Sequence, residues 1–337
     1  MKHRNLSSLE ERKTFPSHTR LRAREIVYRF LRAGKLRLPS VSKTGGLSRQ
    51  FLIPEDVVFE LLKRAKTQLP ADVLDALRTA RKREKNRLAR IQLDAILENI
   101  SLAGERCAPI CQDTGVPVFY VDLGSRSTLP PSSLIAAISS GVRKATRELP
   151  MRANIVHPLS RRNSGDNTGW GTPIVHITSV EGASYTDVTV LPKGAGSENM
   201  SALAMLQPSQ GISGVKAFVV DVVRRAGGKP CPPVIVGVGV GGTADHAMHL
   251  AKKALLRPLS CRNSDRHASR LEKEILQEIN MLDIGPMGLG GTTTALGVNV
   301  ELSGCHTASL PVAVNLQCWA ARVAKARIEG KRVTWLR

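Results

Sequence analysis

Three widely separated cysteines are the residues of this chain whose types and surroundings could do chemistry. Cys111 precedes the run Gln-Asp-Thr-Gly, Cys231 stands between prolines, and Cys318 follows Asn-Leu-Gln. Each lies among turn formers or small polar residues and not in an aliphatic run, so each sulfur could point into a site. Three thiolates without an obvious fourth indicate an iron–sulfur cluster with one open iron, which can act as a Lewis acid on a substrate.

The residues beside these cysteines support a ligand role for the three sulfurs to different degrees. Gln112 and Asp113 place an amide and a carboxylate within one turn of Cys111, although Asp is also an ordinary turn residue. The prolines around Cys231 fix φ and remove backbone donors, which would hold the sulfur in one orientation. Cys318 falls on a predicted helix, where a free cysteine on its own is often a small apolar residue.

The remaining cysteines leave a zinc site open as an alternative. Cys107 lies four residues before Cys111, and Cys305 adjoins His306. Cysteine and histidine together are the usual ligands of zinc, but the chain has no C-x-x-C pair and so lacks the common spacing of structural sites. Cys261 lies in a polar loop and is expected to be a bystander thiol.

A glycine-rich run suggests a second kind of site. Gly237, Gly239 and Gly242 formally match the dinucleotide-binding fingerprint, between a predicted strand and a predicted helix. The acidic strand end that such a site needs about twenty residues later is missing. A dinucleotide-dependent reductase is therefore kept as an alternative. Two further loops, 193–199 and 285–294, are rich in backbone donors but have no Walker spacing.

The net charge of +21 raises the possibility of a nucleic-acid-binding protein. Residues 1–50 hold 13 Lys or Arg against three Glu, so about half of the excess lies in this segment. Aromatic residues, which would stack on bases, make up only 4% of the chain. Nucleic acid is therefore the more distant alternative, and a cation-rich surface that attracts an anionic substrate is favoured.

The sequence predicts a soluble protein of a reducing compartment. No stretch of about 18 apolar residues occurs, so a membrane span is not expected. Six scattered cysteines in 337 residues do not resemble a secreted disulfide framework, and no apolar signal core begins the chain. A cytoplasmic location is expected.

The predicted fold class is mixed α and β, with a helical N-terminal part followed by an α/β catalytic core that contains a mixed sheet. Residues 1–50 are expected to be a basic, weakly ordered extension with a short helical pattern at 23–31. Residues 51–105 carry three or four amphipathic helices, residues 106–325 form the core, and residues 326–337 form a basic C-terminal tail. Strands are predicted at 116–123, 174–180, 184–191, 214–223 and 233–239, and helices at 244–256, 269–282 and 309–324.

Four segments together carry a resemblance to a known family. They are ICQDTG at 110–115, KGAGSEN at 193–199, IGPMGLGG at 284–291 and HTASLPVAVN at 306–315. In this order, with the three cysteines at similar spacing, they look like the iron–sulfur hydro-lyases of the class I fumarase and L(+)-tartrate dehydratase family. The likeness is to the α-type catalytic domain and runs from about Phe51 to Ala324.

The resemblance implies a 4Fe-4S cluster held by Cys111, Cys231 and Cys318, with one open iron. It also implies a substrate site in which Asp113 and His306 act in catalysis and Gln112, Arg152 and the backbone of Ala195 bind substrate.

The resemblance further implies a partner chain. Single-chain relatives continue into a C-terminal domain that completes the site, whereas this sequence ends at Arg337. We therefore expect the α subunit of a hetero-oligomer with a separate β subunit. The expected substrate is a C4 dicarboxylate, with the conversion of fumarate to malate favoured and L(+)-tartrate dehydration to oxaloacetate as the alternative.

Overall fold

A computed structural model describes residues 54–336, which belong to one compact unit. The expected extension at residues 1–50, with its helical pattern at 23–31, lies outside the described residues.

The described chain begins with three helices, continues with strands interspersed with helices and ends with four successive strands, so the mixed α and β fold class is confirmed. The helices are α1 Pro54–Thr67, α2 Ala71–Arg83, α3 Arg87–Arg106, α4 Pro131–Glu148, α5 Ala195–Glu198, α6 Gly211–Ala226, α7 Ala244–Ala254 and α8 Arg266–Asn280. The strands are β1 Val116–Gly124, β2 Ile174–Val180, β3 Thr186–Lys193, β4 Ala202–Leu206, β5 Val234–Val240, β6 Ala295–Leu302, β7 Leu310–Gln317, β8 Ala324–Glu329 and β9 Arg332–Trp335. Short 3-10 turns lie at Pro208–Gln210 and Pro286–Gly288.

The strands form two mixed sheets. The first has the order β2-β1-β3-β8-β9, with β1 parallel to β2 and the other pairs antiparallel. The second has the order β4-β7-β5-β6, with β5 parallel to β6 and antiparallel to β7. The sequence predicted a mixed sheet, and two are present in the described part of the chain.

Helices cover both sheets. One face of the second sheet packs against α6 and α8 through an aliphatic cluster of valines and isoleucines. Its other face packs against α7, where Ala247 and Ala251 are fully buried against Ala313 of β7. The first sheet packs its aliphatic face, which includes Phe119 and Val190, against α1 and α4.

The strand predicted at 214–223 is wrong, because these residues form α6. The buried valines 215, 219, 222 and 223 recur at three- and four-residue intervals, which is the spacing of one helix face. The β-branched composition favoured a strand, but the periodicity of burial decides for a helix.

The helix predicted at 309–324 is also wrong. Leu310–Gln317 is the central strand β7, and β8 begins at Ala324. Seven of the eight residues of β7 are buried because helices cover both faces of its sheet, so the alternation that marks a half-exposed strand is missing. The expected tail at 326–337 is corrected as well, since β8 and β9 pair with each other and join the first sheet.

Candidate metal centre

Cys231 and Cys318 lie at the same end of the second sheet. Cys231 precedes β5, Cys318 follows β7, and these antiparallel strands are neighbours in which Ile235 faces Gln317. The amide of Trp319 donates a hydrogen bond of 3.2 Å to the carbonyl oxygen of Cys231. Strand pairing therefore brings together two cysteines that are 87 positions apart in the sequence.

Cys111 reaches the same place through its neighbour Ile110. The side chain of Ile110 is buried in a small apolar cluster with Ala320, against which Cys318 and Trp319 also pack. The amide of Ile110 donates to the carbonyl of Lys66 at 2.9 Å, which ties this loop to the end of α1. The loop after α3 thus carries Cys111 to the other two thiols.

The three thiols share one electrostatic environment. Burial raises the pKa of Cys231 above that of an ordinary thiol, and the nearby Cys318 and Cys111 raise it further. Burial also raises the pKa of Cys318, while the positive charges of Arg322 and Lys193 oppose this shift. The other three cysteines of the chain, Cys107, Cys261 and Cys305, are exposed.

Cys231 adopts a constrained backbone conformation. Its φ of +55° lies in the left-handed region, which residues other than glycine rarely adopt. The amide of Cys231 donates to the carbonyl of Gly228 at 3.1 Å, and the carbonyl of Pro232 accepts from Met287 at 2.8 Å. Such conformations persist where surrounding contacts fix them, and they are frequent at functional sites.

This donor set fits an iron–sulfur cluster better than a single metal ion. Among residues 54–336, no group of three or more His, Cys, Asp or Glu side chains is placed to hold one ion, so the zinc alternative has no structural support. A cluster differs because each thiolate binds its own iron, and the sulfurs need not converge on one point. The cationic side chains of Lys66, Lys193 and Arg322 are buried around the thiols, and the first and last have nitrogens without a hydrogen-bond partner. Buried positive charge of this kind suits an anionic cluster.

Asp113 fastens two of the predicted loops together. Its Oδ1 accepts hydrogen bonds from the amide of Gly115 at 2.9 Å and from Asn154 Nδ2 at 3.0 Å. Its Oδ2 accepts from the amide of Ala195 at 2.7 Å. The amide of Ala195, expected from the sequence to face a substrate, is thus engaged by Asp113, and Arg322 donates to the carbonyl oxygen of Asp113.

Arg152 and Gln112 lie at the exposed side of this loop. The carbonyl of Arg152 accepts from Thr114 Oγ1 at 2.5 Å, which holds its backbone against the segment that follows Cys111. Both Arg152 and Gln112 are exposed, so their polar groups face outward beside the half-buried Cys111. The structure thus brings Cys111, Gln112, Asp113 and Arg152 into one region.

His306 lies elsewhere. It precedes β7, whereas Cys318 follows this strand, and eight residues of extended chain between them span about 23 Å. His306 Nδ1 accepts a hydrogen bond from the amide of Ala308 at 3.1 Å, and the exposed ring lines an open cleft with Cys305, Gly242 and His246. Within one chain the structure does not bring His306 to the three thiols.

A buried ion network beside the thiols escaped the sequence analysis. Lys193 Nζ donates to Ser197 Oγ at 2.7 Å and lies 3.4 Å from Glu198 Oε2, while Glu198 also accepts from Lys252 and Asn315. Burial lowers the pKa of Lys193 to about 8, against the opposing effect of Glu198. The sequence signal was present, because Lys193 directly follows the apolar residues Val190, Leu191 and Pro192.

The glycine fingerprint has a packing explanation. A Cβ on Gly237 would lie 2.1 Å from the carbonyl oxygen of Ala251, and one on Gly239 would lie 2.1 Å from that of Ala247. Both glycines therefore allow α7 to approach β5 closely. This removes the main sequence argument for a dinucleotide site.

Comparison with known proteins decides the family. The family model described as fumarate hydratase (Fumerase) matches residues 55–327, which include the three cysteines and strands β1 to β7. This chain belongs to the fumarate hydratase family. The resemblance expected from the sequence is thereby confirmed.

Curated relatives extend over most of the chain. A Methanocaldococcus jannaschii protein, provisionally named L(+)-tartrate dehydratase subunit alpha, is 50% identical over 276 residues, which are 81% of this chain and 97% of the relative. The protein named L(+)-tartrate dehydratase subunit alpha of Escherichia coli UTI89 is 33% identical over 275 residues, 82% of this chain and 90% of the relative. The K12 protein of the same name is 33% identical over 267 residues, 79% of this chain and 88% of the relative.

In this member of the fumarate hydratase family, no helix between residues 54 and 336 is both long enough and apolar enough to cross a bilayer.

Proposed function

We propose that this chain is the α subunit of a 4Fe-4S-dependent hydro-lyase that reversibly adds water to a C4 dicarboxylate. The observation that carries the proposal is the convergence of Cys111, Cys231 and Cys318 at one end of the second sheet in a member of the fumarate hydratase family. The three cysteines would hold the cluster. Its open iron would supply Lewis acidity at the substrate hydroxyl.

Arg152 and Gln112 are the proposed substrate-binding side chains. A guanidinium matches a carboxylate in a bidentate manner, and Arg152 is exposed beside Cys111. Gln112 immediately follows Cys111, so its amide could hydrogen-bond a second polar group of the same substrate.

Asp113 is proposed as a positioning residue, although the resemblance implied a catalytic role. Its carboxylate already accepts three hydrogen bonds, from Gly115, Asn154 and Ala195. It would therefore act by fixing the loop that carries Cys111 and Gln112. Because the amide of Ala195 already donates a hydrogen bond to Asp113, Ala195 would contribute to the shape of the site through its backbone position alone.

His306 cannot reach the thiols of its own chain in this arrangement. A catalytic role for His306 would require a second chain to bring the ring to a cluster about 23 Å away along β7. We therefore leave His306 out of the residues proposed to act on substrate within one chain.

A separate β subunit is proposed to complete the site. The curated relatives are named as alpha subunits, which supports a two-component enzyme and hence a hetero-oligomer. Arg152 and Gln112 are exposed in the single chain, so a partner could cover them and exclude water. A cytoplasmic location is proposed with it, because an oxygen-sensitive cluster persists best in a reducing compartment.

The substrate is proposed to be either fumarate and malate or L(+)-tartrate. The family description favours the first pair, and the names of the curated relatives favour the second.

The test is to co-produce the chain with a β-type partner without oxygen and to reconstitute the complex with iron and sulfide. Hydration of fumarate and dehydration of malate and L(+)-tartrate are then measured in wild type and Arg152→Lys. We expect turnover of at least one substrate, and a Michaelis constant raised about tenfold or more in the variant because a bidentate contact is lost. Lack of turnover of all three by a complex shown to hold its cluster would contradict the proposal. Salt-dependent nucleic-acid binding that survives deletion of residues 1–50 would instead support the basic binding-protein alternative.

A further inference from the structure

Lys66 is a buried cation whose Nζ has no partner among residues 54–336. It lies near the end of α1 with 1% of its surface exposed, and its Nζ makes no hydrogen bond. Its own carbonyl oxygen accepts from Ile110, so its backbone is fixed beside the loop that carries Cys111. Burial lowers the pKa of Lys66 well below its usual value, Arg322 lowers it further, and Asp113 and Cys111 oppose these effects.

Arg322 places a second positive charge in the same region. Its side chain is 1% exposed, one Nη donates to the carbonyl oxygen of Asp113, and its Nε has no partner. Its positive charge lowers the pKa of Lys66 and opposes the rise that burial causes in the pKa of Cys318. Arg322 therefore acts on both residues. Arg322 lies four residues after Cys318. The carbonyl oxygen of Lys66 accepts a hydrogen bond from Ile110, the residue before Cys111.

Among residues 54–336, no carboxylate forms an ion pair with Lys66 or Arg322. Asp113, the carboxylate whose charge acts on Lys66, accepts three hydrogen bonds from neutral groups and makes none with Lys66. A buried cation without a counter-charge is strongly unfavourable, so the arrangement calls for an anion at the thiols.

A 4Fe-4S core held by three thiolates is an anion. A substrate carboxylate is a poorer occupant for this position, because Lys66 is buried whereas Gln112 and Arg152 are exposed to an incoming molecule.

We propose that Lys66 and Arg322 are built-in counter-charges of the iron–sulfur cluster, which stabilise the loaded centre and raise its reduction potential at the expense of the stability of the unloaded chain. This inference rests on the proposed function. It assigns Lys66 of α1 and Arg322 of the segment after β7 a positioning and electrostatic role toward the cluster.

The inference predicts that removing the charge of Lys66 has opposite effects on two forms of the protein. The unloaded chain should keep or gain thermal stability, whereas the loaded chain should hold its iron less well. In the unloaded chain, Lys66→Met should leave the melting temperature unchanged or raise it, because a buried unpaired charge is replaced by an apolar side chain of similar length. In the loaded chain, the same variant should lose iron about tenfold faster, because a charge–charge attraction across a low-dielectric region is gone. Its cluster should also have a more negative reduction potential.

The experiment uses the full chain, reconstituted without oxygen, in wild type, Lys66→Met and Lys66→Arg. Lys216→Met is the matched control, because Lys216 pairs with Glu274 and Glu278 on α8 and has no contact with the thiols. Melting temperature without cluster, iron bound per chain, rate of iron loss to a chelator and midpoint potential are measured. The charge-keeping Lys66→Arg should restore potential and iron retention toward wild type, and Lys216→Met should leave both unchanged.

Two results would overturn the inference. If wild type loads a cluster that depends on the three cysteines while Lys66→Met retains iron and potential like wild type, the counter-charge role is excluded and the proposed function stands. A lower melting temperature of unloaded Lys66→Met would likewise reduce Lys66 to a packing residue. If wild type itself takes up no cluster, the proposed function and this inference fail together.

Discussion

The carbonyl oxygen of Cys231 lies 3.2 Å from the amide nitrogen of Trp319, which donates a hydrogen bond to it. This contact joins the residue before β5 to the turn after β7, so it sets Cys231 and Cys318 side by side at one end of the sheet. The bond uses only main-chain atoms and so occupies neither thiol, while Cys318 Sγ separately donates to the carbonyl oxygen of Ala320 at 3.7 Å and accepts from Gln317 Nε2 at 3.4 Å.

Cysteine reactivity should separate the two kinds of thiol. In the unloaded chain at pH 8, iodoacetamide should modify the exposed Cys107 and Cys305 faster than Cys231 and Cys318, whose pKa values burial raises. The thiolate is the reactive form, so modification of Cys231 should keep accelerating as the pH rises above 9. Peptide mass spectrometry over time gives each rate, and equal rates for Cys107 and Cys231 at pH 8 would contradict the half-buried placement of Cys231. Loading with iron and sulfide should protect Cys231 but not Cys107.

The stability of the unloaded chain should depend on pH through Lys193. Burial lowers its pKa to about 8 from the model-compound value of 10.5. Below pH 8 the ammonium is charged in both folded and unfolded chains, and its burial opposes folding. Between pH 8 and 10.5 the unfolded chain binds more protons, so the unfolding free energy rises with pH.

Denaturant titration of wild type and Lys193→Met at several pH values checks this dependence. The difference in unfolding free energy, wild type minus variant, should increase between pH 8 and 10.5 and be flat below pH 7. If this difference in unfolding free energy fell between pH 8 and 10.5, Glu198 would stabilise the Lys193 ammonium more than burial disfavours it.

Close packing of α7 on β5 predicts a large effect of one methyl group. Gly239→Ala should lower the unfolding free energy by about 2–3 kcal/mol, because the new Cβ would meet the carbonyl oxygen of Ala247. Gly304→Ala is the control, since no atom lies within 4 Å of its added Cβ. Chemical denaturation compares them, and equal stability of the two variants would show that the helix can move away.

Titration of wild type with NADH should give no binding.

The positioning role of Asp113 predicts a loss of stability together with a loss of activity. Asp113→Asn replaces one acceptor oxygen by an amide group that faces an N–H donor, so about 1–3 kcal/mol of unfolding free energy should be lost. Asp75→Asn, on the exposed face of α2, should change stability by less than about 0.5 kcal/mol. If Asp113→Asn is as stable as wild type but inactive in the reconstituted complex, Asp113 acts directly on substrate.

The sequence allowed the fold class and the family to be predicted, because hydrophobic periodicity and long motifs mark them. It misled at 214–223 and 309–324, where valine-rich composition and small residues hide whether a helix or a buried strand is present. Lys66 and Arg322 could not be recognised, since a single Lys or Arg in a basic chain carries no signal of burial. His306 joined the predicted site through its motif, but its place at the opposite end of β7 follows only from the strand topology.

The most direct test of the central claim is electron paramagnetic resonance of the chain reconstituted with iron and sulfide without oxygen, before and after mild oxidation. Wild type should develop a three-iron signal on oxidation as the open iron is lost, and Cys111→Ser, Cys231→Ser and Cys318→Ser should each abolish it. Cys107→Ser, at an exposed thiol, should keep the signal. Absence of a cluster in wild type, or a cluster that survives each of the three substitutions, would contradict the assignment of this centre.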